Sequence, residues 1–388
     1  MPNPSMVCFI TLVLSHYRVP FHERVRAILK RHDVDYRVIY SDPVGGDASK
    51  KDTLALPWAE KVPVHPLNVF GQPFFWQDVR DQARDADLSI VSQENKLLVN
   101  YWLQARYWLF GRKFGFFGHG RTASTSRFTL FARPLKRFLA TRVHWWFAYT
   151  PEVADLLSGY GFPRERITIN YNSIDTAALG DEIASVTEPE IEQFRERLGI
   201  PPGPLALNIG AIYEEKRIGF LIEAALIARR SIPDFQLLIV GAGPEAHIAD
   251  AAAREHDFIH YAGPLFGRDK AIALKASRAC LLPGVIGLAV LDTFVGSCPP
   301  VATTVPGSGP EIDYLKDGEN GLLVHDHTSP FAFASAIERV MIDDGLIERL
   351  RLGASDAARL YSIETMADRF AAGVLNALKT SAGNVRTA

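Results

Sequence analysis

Between Asn95 and Thr150 the chain has no Asp and no Glu, a gap of 56 residues. Ten cations occupy the same stretch: Lys96, Arg106, Arg112, Lys113, Arg121, Arg127, Arg133, Lys136, Arg137 and Arg142. So do four of the six Trp, namely Trp102, Trp108, Trp145 and Trp146. Basic residues interleaved with aromatics suit an anionic surface with an apolar layer beneath it, as at lipid headgroups. The competing reading is a solvated basic face over aromatics that are simply core. Cysteine is scarce: Cys8, Cys280 and Cys298 form no CxxC pair and no metal-ligand spacing, and an odd count builds no disulfide framework. A reducing compartment follows as the expectation. No apolar run reaches the roughly 18 residues of a membrane-crossing helix. The start lacks a basic leader, and its short apolar run Met6–Leu14 reads as a first buried strand rather than a signal peptide. The expectation is a cytoplasmic protein, peripheral to the inner face of a membrane. There is no tandem repeat and no long low-complexity tract.

What is present is a two-part α/β pattern. A length of 388 residues exceeds one typical core. Residues 1–175 carry 23 Lys/Arg against 16 Asp/Glu, a net of +7, and the remainder carries 19 against 28, a net of −9. Opposite fields suggest that the halves meet different partners. Short β-branched or Leu-rich runs predict strands over Val7–Val13, Asp35–Tyr40, Leu88–Val91 and Lys113–Phe117, alternating with helices such as Phe21–Arg31 and Leu97–Phe110. The second half repeats the theme through Leu205–Ile209, Ile218–Arg230, Phe235–Val240, Glu245–Glu255, Ile259–Ala262, Ala279–Leu282 and Val301–Thr303. This alternation predicts two doubly wound units with mostly parallel sheets, whose ligands bind beyond the carboxyl ends of the strands. The punctuators Gly199-Ile200-Pro201-Pro202-Gly203-Pro204, behind the acidic helical segment Glu188–Leu198, mark the junction. The expected domains are 1–180, an acceptor-side unit, and 204–362, a donor unit. A C-terminal helix within 363–388 is expected to cross back to the first unit, followed by a tail.

Three turns carry the chemistry. Gly241-Ala242-Gly243-Pro244-Glu245-Ala246 satisfies a dinucleotide pattern, but it follows the second strand of its unit, and Tyr261-Ala262-Gly263-Pro264 supplies no acidic residue downstream. A tight structural turn is the favoured reading there, and a nicotinamide-dependent oxidoreductase is the alternative. Asn208 to Ile218 runs from a strand through Gly210 into a helix, with Lys216 able to offset ligand charge. Leu281 to Phe294 is a buried strand, a glycine-containing loop and an apolar helix beginning near Gly287, with Asp292 one to two turns into it.

The order and spacing of these blocks resemble the donor-binding half of glycosyltransferase family 4, a GT-B fold family. The blocks continue through Pro299-Pro300-Val301-Ala302-Thr303-Thr304, Gly309-Pro310-Glu311-Ile312 and Asp317-Gly318-Glu319-Asn320-Gly321-Leu322-Leu323-Val324. Looser matches in the first half are Tyr17-Arg18-Val19-Pro20-Phe21, Gly118-His119-Gly120 and Tyr171-Asn172-Ser173-Ile174-Asp175. The resemblance implies two Rossmann-like domains facing a central cleft. It implies transfer of a sugar from a nucleotide-diphospho-sugar to a lipid-linked or membrane-proximal acceptor, with retained configuration. No metal or other cofactor and no nucleic-acid partner is expected. His119 and Lys216 are the implied catalytic residues, with His119 facing the donor. Gly210, Lys216, Arg217, Gly263, Gly287, Leu288, Ala289 and Asp292 are the implied donor-binding set, Asp292 contacting the ribose. Arg18, Arg121, Arg133, Lys136 and Arg137 fall to the acceptor or membrane side. Two departures stand out. Ala211 replaces the usual Arg, leaving Arg217 as a substitute charge. Gly284 occupies the place of the first of two Glu seven residues apart, so a catalytically inactive relative is a further alternative. Asp85-Ala86-Asp87 is expected on a charged surface helix rather than at a metal.

Overall fold

A computed structural model describes residues 4–44, 56–69, 71–120 and 137–382. The chain divides into two compact units, one of residues 1–174 and 363–388, the other of residues 175–362.

The first unit is built on a parallel seven-stranded sheet of order β3-β2-β1-β6-β7-β8-β9. Its strands are β1 (Ser5–Ile10), β2 (Val34–Tyr40), β3 (Glu60–Lys61), β6 (Leu88–Ser92), β7 (Lys113–Gly118), β8 (Trp145–Ala148) and β9 (Ile167–Ile169). A separate antiparallel hairpin joins β4 (Val64–Val69) to β5 (Gln72–Gln77). The sheet is covered on both faces, which is why its strands read as near-continuous apolar runs. One face packs against Leu97, Val99, Leu103 and Tyr107 of the segment containing helix Leu98–Phe110. The other packs against helix Val19–Lys30 and helix Ile363–Lys379, with Phe370 at the centre of a cluster of Phe9, Phe21, Phe117 and Phe147 rings. The chain's last helix therefore completes the core of the unit that its first strand begins.

Strand β1 is shorter than its apolar run suggests. Thr11 to Leu14 leave the sheet, with Leu12 and Leu14 still buried, because Gln77 donates to the Thr11 carbonyl (2.9 Å) and Ser41 to that of Leu12 (3.0 Å). Asp85-Ala86-Asp87 closes helix Arg80–Asp85 and enters β6, and Asp87 accepts from the Met6 backbone N–H at 2.8 Å.

The second unit carries a parallel six-stranded sheet of order β12-β11-β10-β13-β14-β15. Its strands are β10 (Leu205–Ile209), β11 (Gln236–Val240), β12 (Ile259–Gly263), β13 (Ala279–Leu282), β14 (Pro300–Thr303) and β15 (Leu322–Val324). Helices Ile218–Ser231 and Pro330–Ile342 seal one face around Phe235, Leu237, Phe333 and Ile337. The unit starts ahead of the punctuated segment 199–204, at Asp175. Arg268 explains this: its guanidinium takes both carboxylate oxygens of Glu190 and the Glu182 carbonyl, each at 2.7 Å, and so ties helices Ala177–Ser185 and Glu188–Arg197 to helix Gly267–Ala276. That fork holds the Glu190 carboxyl down at about 2. All three cysteines are free and buried, and burial pushes the Cys8 and Cys298 thiols up to about 12.

The acid-free segment splits in two. Trp145, Trp146, Phe114, Phe116 and Phe117 are core residues of β7 and β8, so for these aromatics the reading as core holds. Lys113 is tied to the Leu378 carbonyl, and Arg106 donates to Ala83 (2.8 Å) while lying over the Trp102 ring. At the end of helix Leu98–Phe110, by contrast, Leu109 and Phe110 are exposed, and so are Arg112, Arg137 and Phe138. Arg121, Arg133 and Lys136 lie outside the described residues.

Candidate active site

Strand order reverses between β10 and β13 in the second unit, the topological position where doubly wound sheets hold ligands beyond their carboxyl ends. Of the sequence-chosen residues, Lys216, Arg217, Gly287 and Ala289 border this place. Asn208 clamps the two strands by donating to the Leu281 carbonyl (2.6 Å). Lys216 and Arg217 then reach across from the turn after β10 to the loop after β13. The Lys216 ammonium donates to the Val285 carbonyl (2.6 Å), and the Arg217 guanidinium to that of Pro283 (3.1 Å). Val285 N–H returns a bond to the Glu215 carbonyl (2.9 Å). Arg217 adopts the left-handed backbone (φ 58°) and its guanidinium stacks on Phe220 at 4.0 Å. Its charge is thus engaged in joining turn and loop.

Two kinds of glycine border this place. A Cβ on Gly284 would lie 2.1 Å from the Glu215 carbonyl oxygen and 2.6 Å from the Lys216 Cα. Gly241 and Gly243 are likewise pressed against the carbonyls of Gly210 and Ile212. The Gly241–Ala246 turn therefore uses its glycines to approach its own chain, the tight-turn reading. Gly210, Gly263 and Gly287 face open space instead. The recess lined by Asn208, Ala211, Lys216, Gly284, Gly287 and Ala289 holds only about 10 Å³, room for no more than a water.

Burial lowers the Lys216 pKa, and the Glu311 carboxylate opposes that shift. Glu311 is itself buried, in the short turn Pro310–Tyr314. Helix Ala289–Val295 follows the loop, and the backbone N–H groups of Gly287, Leu288 and Ala289 donate to no described residue. Asp292, one turn in, is buried and pairs with Lys270 (Nζ to Oδ2, 2.7 Å). Sequence reasoning did not find Lys270. It lies 22 residues away on another helix, and no local spacing announces the pair. Glu311 was visible within the Gly309-Pro310-Glu311-Ile312 block, but not as a neighbour of Lys216.

In the first unit a second open site occupies the corresponding reversal, between β1 and β6. A cavity of about 470 Å³ is lined by Thr11 to Ser15 after β1, Ser92 to Glu94 at the end of β6, Phe117 to His119 at the end of β7, Tyr149 after β8, and Tyr17, Arg18 and His22. His119 is exposed at its edge. Arg18 lies against the rings of Tyr17, Phe117 and Tyr149 and donates to Asn172 and to the Ser173 carbonyl. The Tyr17–Phe21 and Tyr171–Asp175 blocks, far apart in sequence, thus meet at one guanidinium. His22, buried at the cavity floor, shares a 2.8 Å hydrogen bond with the Tyr36 hydroxyl, and burial pulls its pKa down to about 3. Arg137 lies away from this cavity, over the Tyr160 ring and 3.5 Å from the Gly159 carbonyl.

The family model described as Glycosyltransferase Family 4 matches residues 23–178, and the model described as Glycosyl transferases group 1 matches residues 203–343. Together the two matches cover 297 of the 388 residues. The chain belongs to glycosyltransferase family 4. It is similar to the alpha-D-kanosaminyltransferase of Streptomyces kanamyceticus, 29% identical over 192 residues that make up 48% of this chain and 49% of that protein. The phosphatidyl-myo-inositol mannosyltransferase of Mycobacterium leprae is 28% identical over 192 residues, 48% of this chain and 50% of that protein. The chain spans about half the length of the curated relatives it matches. The crystal structure of a glycosyltransferase from Rickettsia africae superposes with a TM-score of 0.67 at 15% identity, covering 98% of this chain and 100% of that one. The architecture is accordingly of the GT-B type, with two Rossmann-like α/β units. Among the described residues, no helix is long and apolar enough to cross a membrane, and no group of three or more His, Cys, Asp or Glu could hold a metal ion.

Proposed function

We propose that this protein transfers a sugar from a nucleotide-diphospho-sugar to a lipid-linked or membrane-proximal acceptor, with retained anomeric configuration and without a metal ion. The observation that carries the reading is Lys216, set against the 283–289 loop at the strand-order reversal of the second unit. The diphosphate would lie over the rim of that recess, on the open faces of Gly210 and Gly287, since the recess itself is filled. There the ammonium of Lys216 and the N–H groups of Gly287 to Ala289 meet the charge that grows on the leaving oxygen as the glycosidic bond breaks. Asp292 would accept from the ribose. Gly284 offers no carboxylate to the donor sugar, so within this unit sugar contacts would come from the loop backbone.

The cavity of the first unit would take the acceptor. Arg18 supplies a cation among aromatic rings, Glu94 and His119 supply polar contacts, and Phe117 supplies an apolar wall. One relative is by its name a phosphatidyl-myo-inositol mannosyltransferase, which supports a lipid acceptor. Exposed Leu109, Phe110 and Phe138 beside Arg112 and Arg137 would rest on an anionic cytoplasmic leaflet, each cation contributing about 1 kcal/mol near the surface.

Thermal-shift screening against UDP, GDP, ADP and NAD tests the donor side. Stabilisation by one nucleoside diphosphate, lost in Lys216→Ala, is expected. Stabilisation by NAD alone would instead return the reading to an oxidoreductase. Sedimentation with phosphatidylglycerol and with neutral vesicles tests the membrane side. Binding should need the anionic lipid, fall with salt, and be lost when Arg133, Lys136 and Arg137 are replaced by Glu. Equal binding to neutral vesicles, or none to either, removes the membrane from the reading.

A further inference from the structure

The Lys270–Asp292 pair joins two helices of the second unit. Asp292 keeps 11% of its side-chain surface and Lys270 25%. Lys270 Nζ takes Oδ2 at 2.7 Å, while Oδ1 accepts from no described residue. Asp292 stands three positions after Ala289, which lines the recess, so both lie on one helix face. A buried carboxylate with no cation beside it would take up a proton rather than remain charged. Of the elements around it, β13 brings the neutral thiol of Cys280 within electrostatic reach. Helices Ala177–Ser185 and Asp344–Leu360 and strand β14 bring no charge that acts on it. Burial raises the Asp292 pKa, and Lys270 is the opposing influence.

We infer that Lys270 is a positioning residue of the nucleotide site: its ammonium fixes Oδ2 of Asp292 and keeps the carboxylate charged, which leaves Oδ1 free to accept from the ribose. The inference rests on the reading of Asp292 as a ribose contact. It assigns a role to a residue that touches neither nucleotide nor sugar, and it makes donor affinity depend on an ion pair between two helices. Removing the ammonium takes away the influence that opposes burial, so the Asp292 pKa rises further and the carboxyl holds its proton to higher pH. Below its new pKa the protonated form predominates, and affinity falls roughly tenfold for each unit of pH.

The experiment compares the parent, Lys270→Met, Lys270→Arg and Asp292→Asn. Calorimetry with UDP, GDP and ADP selects the probe that the parent binds, and its affinity is then followed between about pH 5.5 and 8.5. The parent and Lys270→Arg should show flat profiles. Lys270→Met should bind weakly in acid and recover towards alkaline pH, and Asp292→Asn should be weak throughout. Stability provides a readout of opposite sign. In Lys270→Met the folded carboxyl binds a proton more tightly than the unfolded one, so stability is present at low pH and is lost as pH rises. If Lys270→Met unfolds too readily to assay, the double variant Lys270→Met/Asp292→Asn removes the stranded charge. It should recover stability but not affinity. A flat Lys270→Met profile, at parent affinity or uniformly reduced, overturns the inference while Asp292→Asn still reports on the ribose contact. Parent affinity in both Lys270→Met and Asp292→Asn would instead show that Asp292 is not in the nucleotide site, which removes the underlying reading as well.

Discussion

Replacing Gly284 by Glu puts back the carboxylate that the family pattern carries at this position, and the geometry says that the protein is harmed by it. The obstacle is the first carbon of the side chain. A Cβ at Gly284 would stand 2.1 Å from the Glu215 carbonyl oxygen and 2.6 Å from the Lys216 Cα, both backbone atoms that no rotamer change can move. Room can be made only by separating the 283–285 loop from the 215–217 turn. Three hydrogen bonds hold them together: Val285 N–H to Glu215, Lys216 to Val285, and Arg217 to Pro283. Overpacking alone costs about 1–3 kcal/mol. Weakening those bonds adds about 1 kcal/mol or more. A loss of about 2–4 kcal/mol corresponds to a fall of roughly 5–15 °C in the midpoint of a domain this size. Because the cost arises at Cβ, Gly284→Ala should lose nearly as much as Gly284→Glu. Both should bind nucleoside diphosphate at least about tenfold more weakly, since Lys216 moves with the turn and tenfold is only about 1.4 kcal/mol. Scanning calorimetry with and without nucleotide reads both effects. A Gly284→Glu protein with the parent midpoint and parent or improved transfer would refute the reasoning and show that the loop yields.

Lys216→Ala should weaken nucleoside diphosphate binding by about 1.5–3 kcal/mol, the worth of a charge-assisted contact, and unchanged affinity by calorimetry would take Lys216 out of the site. His119→Ala should lower kcat while leaving nucleotide affinity near the parent value. A fall in affinity equal to the fall in kcat would place His119 on the nucleotide instead. His22 should make the first unit acid-sensitive. Its folded pKa of about 3 lies far below that of the unfolded chain, so stability falls as pH drops from about 6.5 towards 3, by about 2 kcal/mol at pH 5. Urea unfolding at neutral and acid pH should show a shallower decline in His22→Gln, and equal slopes would mean that the imidazole is protonated in the folded state.

The alternation of short apolar runs with helical segments determined the architecture from sequence alone. A strand buried on both faces has to be apolar almost throughout, so β10, β11 and β13 are readable to within a residue or two. Glycines after strands also marked the right turns, since a strand-to-helix connection requires them wherever backbone approaches backbone. What sequence could not assign was the purpose of each glycine. Gly284 and Gly287 stand three residues apart in one loop, yet one is pressed against the Lys216 turn and the other is open to a ligand. That difference arises from a neighbour some 70 positions away. The acid-free segment shows the same limit: charge and aromatic content are local, but whether Trp146 is core or Phe110 surface depends on which strand or helix end each occupies. Ion pairs between helices were the least legible of all. Lys270 and Asp292 share no periodicity, and only the folding of two helices onto one sheet face brings an ammonium to a buried carboxylate, where low polarity makes the pairing matter.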